Sequence, residues 1–112
     1  MKIKSLLMFI LILFASSAAM AHPPSSIDVS IKDNSITLIV KHQVANPLDH
    51  YISSVKVISG EKVIFEGSFK EQSSKDEHTI DIPLKDIKRP FKITVEAVCN
   101  KWGRLTKEIE IK

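Results

Sequence analysis

Three imidazoles and a thiol, His22, His42, His50 and Cys99, are the side chains here whose chemistry reaches beyond packing. His78 adds a fourth imidazole. Neutral imidazole nitrogen and thiolate sulfur are borderline and soft donors, a set that suits iron, copper or zinc and not calcium or magnesium. Cys99 is the only cysteine, so no internal disulfide can form. Its thiol is left to be buried, paired between chains or bound to a metal. Whether these residues make one site depends on the elements that carry them.

Those elements read as strands. Ile27, Val29 and Ile31 alternate with polar residues, and Asp33-Asn34-Ser35 is a turn. Ile36, Leu38 and Val40 continue at period two to His42, which therefore faces the apolar side at its strand end. Phe91, Ile93, Val95 and Ala97 lead in the same way to Cys99. Further strands are expected over residues 52–59, over 62–69 with Val63, Phe65 and Phe69 on one face, over 79–84 with Ile80, Ile82 and Leu84 inward, and over 105–111. His50 sits in the loop 43–51, beyond Asn46-Pro47, and His22 in an arm stiffened by Pro23 and Pro24. His78, beside Asp76 and Glu77 at the end of a polar stretch, reads as a solvated turn residue. No window carries a helical stripe. About seven short strands with regular turn signals predict an all-β, immunoglobulin-like antiparallel sandwich. His22, His42, His50 and Cys99 can converge at one end of it. Taken singly, a strand-end histidine or a buried cysteine is more often structural than ligating. Their joint placement at strand ends and loops is what favours a site.

The chain has 112 residues and a net charge of +3. Met1-Lys2-Ile3-Lys4 is a short positive segment, residues 6–14 are unbroken apolar, and Ala19-Met20-Ala21 offers small residues at −3 and −1 of a cleavage point. Residues 1–21 are thus expected to be a signal peptide, with the domain over 22–112 and a periplasmic or secreted destination. The apolar run is too short to span a hydrocarbon core of roughly 30 Å. The mature chain is accordingly expected not to be embedded in a membrane. Without Lys2 and Lys4 the chain keeps 14 basic against 13 acidic side chains, too even a balance for nucleic acid. Glycine-rich phosphate loops and internal repeats are absent from the sequence.

Three segments together, His22-Pro23-Pro24, Asn46-Pro47-Leu48-Asp49-His50-Tyr51-Ile52 and Val98-Cys99-Asn100-Lys101-Trp102-Gly103, resemble the iron-binding domain of the superoxide reductases, the desulfoferrodoxin and neelaredoxin family. The resemblance covers essentially all of residues 22–112 and implies a seven-stranded immunoglobulin-like sandwich. It also implies ferrous iron held by four equatorial imidazoles and one axial thiolate, with a sixth position open to superoxide. His50-Tyr51-Ile52 matches the family's His-Tyr-Ile, and Cys99, Asn100 and Gly103 match its Cys-Asn-x-His-Gly. Where that motif has its histidine this chain has Trp102. Where a histidine precedes the loop proline it has Asn46, with His42 the nearest substitute. The lysine beside the family's N-terminal histidine is absent.

The resemblance therefore implies Cys99 as axial thiolate and His22, His42 and His50 as imidazole ligands. Asn100 would lie near the sulfur, and Tyr51 and Trp102 would wall the site. Three functions are open from the sequence. The first is an exported one-iron protein that reduces superoxide to peroxide or carries an electron, with a separate and unidentified electron donor. The second is a copper- or other metal-binding sandwich without turnover. The third is a metal-free interaction domain, and any of the three is compatible with a homo-oligomer.

Overall fold

The computed structural model describes residues 22–32, 34–84 and 88–112. The expected signal peptide lies outside them. Seven strands follow one another: β1 (Ser26–Lys32), β2 (Ser35–Lys41), β3 (Ile52–Ser59), β4 (Lys62–Ser68), β5 (Glu77–Pro83), β6 (Phe91–Cys99) and β7 (Arg104–Ile111). They form a three-stranded sheet, β1-β2-β5, and a four-stranded sheet, β4-β3-β6-β7, with every neighbouring pair antiparallel. The all-β sandwich expected from the alternation is the fold observed.

Alternation also sets which face is buried. Ile36, Leu38 and Val40 on β2 are fully buried, as are Val55 and Val57 on β3 and Val95 and Ala97 on β6. Fully burying side chains of this size contributes about 1.5–3 kcal/mol each. Both sheets turn their β-branched faces inward onto this one core.

Three features differ from the sequence expectation. In β4 a bulge sets Ile58 opposite Val63 and Val57 opposite Phe65. Ile64 becomes the extra residue and packs with Phe65 and Phe69 on the core, while Val63 turns 45 % exposed. The expected common face of Val63, Phe65 and Phe69 is thus broken. The strand β5 begins at Glu77, earlier than the sequence suggested, and it carries His78 opposite Val40.

His78 is therefore not a solvated turn residue. It shares parity with Ile80 and Ile82, is 7 % exposed, and lies with its ring 4.4 Å from that of Phe69. A second bulge sets Ile52 opposite Cys99 but Ser54 opposite Val98. That irregularity leads directly into the site.

Candidate metal centre

Three segments bring His22, His42 and His50 together, and a fourth sets Cys99 beside His50, outside the mutual cluster of the three imidazoles. The regular run of β2 ends at Lys41, and His42 continues its inward parity, fully buried. Cys99 closes β6, 4 % exposed, with its amide donating to the Gly103 carbonyl at 3.0 Å. His50 is placed by a turn built on Asn46. The Asn46 side-chain oxygen accepts the Leu48 amide at 3.0 Å, and its carbonyl accepts the amides of Asp49 at 3.1 Å and His50 at 2.9 Å. Asparagine is suited to this because its short side chain mimics a turn of backbone. Because the bulge leaves Ile52 directly across from Cys99, His50 falls beside the thiol.

The last of these segments is the N-terminal arm. Pro24 is buried, and Ser25 donates its amide to the Lys41 carbonyl at 2.8 Å, so the arm runs along the end of β2. Pro23 lies against Gly103, whose φ of +88° belongs to the left-handed region that glycine tolerates. A Cβ at that glycine would sit 2.9 Å from Pro23 Cβ. The turn after Cys99 therefore positions His22.

The resulting cluster is close. The ring centroids of His22 and His42 are 4.9 Å apart, those of His22 and His50 5.2 Å, and those of His42 and His50 4.7 Å. One nitrogen from each of the three lies within 4.8 Å of the other two. Two nitrogens on opposite sides of one ion, at bonds of about 2.1 Å, would be roughly 4.2 Å apart. The three imidazoles are thus within a small adjustment of a common ion and could hold one.

Cys99 Sγ lies 3.1 Å from His50 Nε2 and accepts the Lys101 amide at 3.4 Å. Burial holds the pKa of His50 below its ordinary value, with further contributions from His42, His22 and Lys101, while Asp49 opposes them. The shift favours the neutral form of His50, the one that donates to a metal. An open cleft of about 650 Å³ borders His22 and His42 and gives this side of the cluster access to solvent.

Around these residues the sequence expectations meet mixed placements. Asn100 does not hydrogen-bond the sulfur. Its side chain accepts the Tyr51 amide at 2.8 Å and donates to the Asp49 carbonyl at 2.9 Å, tying the thiol loop to the His50 loop. Tyr51 is half-buried at that junction. Trp102, expected as a wall of the site, is 64 % exposed, so most of its indole faces solvent. His78 is outside the cluster.

Two contributors were not read from the sequence. Gln72, 3 % exposed, contacts His42 through its side chain, and Lys101 supplies the amide on the sulfur. A lone glutamine in a charged loop carries no periodic signal, and a main-chain donor carries none at all.

No family model matches the sequence, and no curated protein matches it either. Solved structures do match in three dimensions. The superoxide reductase (1Fe-SOR) of Giardia intestinalis superposes with a TM-score of 0.60 at 13 % identity, covering 80 % of this chain and 99 % of that one. A superoxide reductase in its oxidised state gives 0.55 at 17 % identity, over 81 % and 88 %. A neelaredoxin-type superoxide reductase from Archaeoglobus fulgidus gives 0.54 at 18 %, over 83 % and 90 %. The two-sheet sandwich described here is the fold of the superoxide reductases.

Proposed function

We propose that this chain is a divergent superoxide reductase-like protein, with a mononuclear iron centre held by His22, His42, His50 and Cys99. The observation that carries the reading is the convergence of three imidazoles within 4.8 Å, with a buried thiol 3.1 Å from one of them. The donor set fits the ion: three borderline nitrogens and one soft sulfur match ferrous iron and exclude hard cations. Bound ferrous iron would supply one electron to superoxide, which takes up two protons and leaves as hydrogen peroxide.

The chain's own residues prepare that chemistry. The Lys101 amide donates a hydrogen bond to the Cys99 sulfur at 3.4 Å and so fixes its position. Asn100 holds the two ligand loops in register, and the Pro23–Gly103 contact keeps His22 at the cluster. The open cleft beside His22 and His42, lined also by Lys41, Asp76 and Glu77, would give solvent and a small substrate a route to this side of the cluster. Copper is the second reading, because two imidazoles and one thiolate are also the core of a blue-copper site.

The chain is further proposed to be exported, with cleavage after Ala21 and His22 as the new N-terminus, and to take its electron from a separate donor. N-terminal sequencing of protein recovered outside the cytoplasm tests the export. Metal analysis and superoxide consumption test the centre. Protein loaded with one ferrous ion should consume superoxide faster than its Cys99→Ala variant. Equal rates would sink the reductase reading, and copper in place of iron in protein from its native compartment would favour the second.

A further inference from the structure

Gln72 is a buried glutamine in the loop between β4 and β5, and its hydrogen bonds determine more than its own position. Its side-chain nitrogen donates to two main-chain carbonyl oxygens, those of His42 at 2.7 Å and Ser74 at 2.9 Å. A carbonyl oxygen can only accept, so the nitrogen end of this amide is fixed by its partners. The other end is then the oxygen, and it lies 2.8 Å from His42 Nδ1. An amide oxygen cannot donate, so His42 Nδ1 carries the proton of this bond.

A neutral imidazole has one N–H. With that N–H at Nδ1, Nε2 of the neutral ring keeps a bare lone pair, in a side chain with no exposed surface. At hydrogen-bond distance from it is the His22 carbonyl oxygen, 3.3 Å away, which is also an acceptor. Two acceptors facing each other at this distance repel, and a cation placed between them relieves the repulsion. The same glutamine donates its main-chain amide to the Pro47 carbonyl at 3.0 Å, inside the loop that carries His50. One residue thus touches both ligand-bearing segments.

We propose that Gln72 is a positioning residue for the metal centre: it locks His42 as the Nδ1–H tautomer and so presents Nε2 as the metal-binding atom. The inference rests on the metal-centre reading above, and the ordinary role of such partners is to fix ring orientation and tautomer. The neutral histidine side chain free in water favours the opposite, Nε2–H tautomer, so loss of this bond would bias His42 toward a proton on the ligating nitrogen.

Long-range ¹H–¹⁵N correlation spectra of the metal-free protein test this directly, because they report which nitrogen of each imidazole is protonated. His42 is expected with Nδ1 protonated and Nε2 bare near neutral pH. Gln72→Leu should shift His42 toward the Nε2–H form and weaken Zn²⁺ binding by about 10- to 100-fold. Gln72→Glu keeps an oxygen at Nδ1 while losing both amide N–H bonds. It should be less stable yet retain the tautomer.

Wild-type His42 found as the Nε2–H form, or doubly protonated, overturns the proposal. So does a folded Gln72→Leu with tautomer and affinity unchanged, or loss of the tautomer in both variants, which would make Gln72 a loop tether only. If Gln72→Leu does not fold, the wild-type and Gln72→Glu spectra decide. The two readings fail separately. A wild-type protein with the expected tautomer that binds neither Zn²⁺ nor Fe²⁺ overturns the metal centre and leaves the lock in place, whereas metal binding with the opposite tautomer overturns the lock alone.

Discussion

Gly103 and Pro23 are packed so closely that a single added methyl would have no room: a Cβ on the glycine would meet Pro23 Cβ at 2.9 Å and Pro23 Cα at 3.2 Å. This contact joins the turn after Cys99 to the arm that carries His22. Gly103→Ala should therefore act twice. The left-handed φ of +88° becomes strained, costing about 1–3 kcal/mol, and the arm is pushed off the turn. The expected result is a lower denaturant midpoint together with weaker metal binding. An unchanged metal affinity in a destabilised variant would show that the arm does not depend on this contact.

Cys99→Ser replaces the soft sulfur by an oxygen of similar shape. The 4 % exposed site accepts the smaller atom, so the sandwich should remain folded with little change in far-ultraviolet circular dichroism. Any visible thiolate-to-metal charge-transfer band of the iron- or copper-loaded protein should vanish. A band that persists in the variant removes Cys99 from the ligand set.

His78 makes the stability of the sandwich depend on pH. Its Nδ1 accepts the Ser73 amide at 3.0 Å, its Nε2 has no hydrogen-bond partner among the described residues, and burial holds its pKa below the usual 6.5. The unfolded chain therefore binds this proton more readily than the folded one. The stabilising contribution is complete above about pH 6.5 and is lost as the pH falls from there toward the folded value. Metal-free wild type should lose more stability than His78→Leu between about pH 7.5 and pH 5. Parallel curves for the two proteins would assign the effect elsewhere.

Asn100→Ala removes the two side-chain hydrogen bonds, at 2.8 Å and 2.9 Å, that join the thiol loop to the His50 loop. Each is worth about 0.5–1.5 kcal/mol, reduced here by the exposure of the residue. The loss should appear as a stability decrease of about 1 kcal/mol and as faster amide exchange at Tyr51. Protection at Tyr51 equal to wild type would mean that the main-chain bond from Asn100 N to the Tyr51 carbonyl, 3.0 Å, is sufficient to hold the loops.

Period-two alternation made most of the sandwich legible, because a half-buried strand must put every second residue in the core. It also placed His42 and Cys99, since both simply extend an apolar parity to a strand end. The same rule would have buried His78 with Ile80 and Ile82. The adjacent Asp76 and Glu77 suggested a turn, and only the pairing of His78 with Val40 outweighs them. The bulge in β4 was hidden, because Val63 and Phe65 keep parity in sequence and lose it only across from Val57 and Ile58. Gln72 could not be found at all: its burial is created by the closing of two distant segments around it.

The donors stand at positions 22, 42, 50 and 99 of 112. A chain made from its N-terminus therefore produces all three imidazoles of the cluster long before the thiol that sits beside them. Until β6 is complete, β3 lacks the strand that sets Cys99 next to the His50 loop, and the cluster has its three imidazoles alone. Order of synthesis thus separates an early all-imidazole set from the finished cluster with its thiol neighbour.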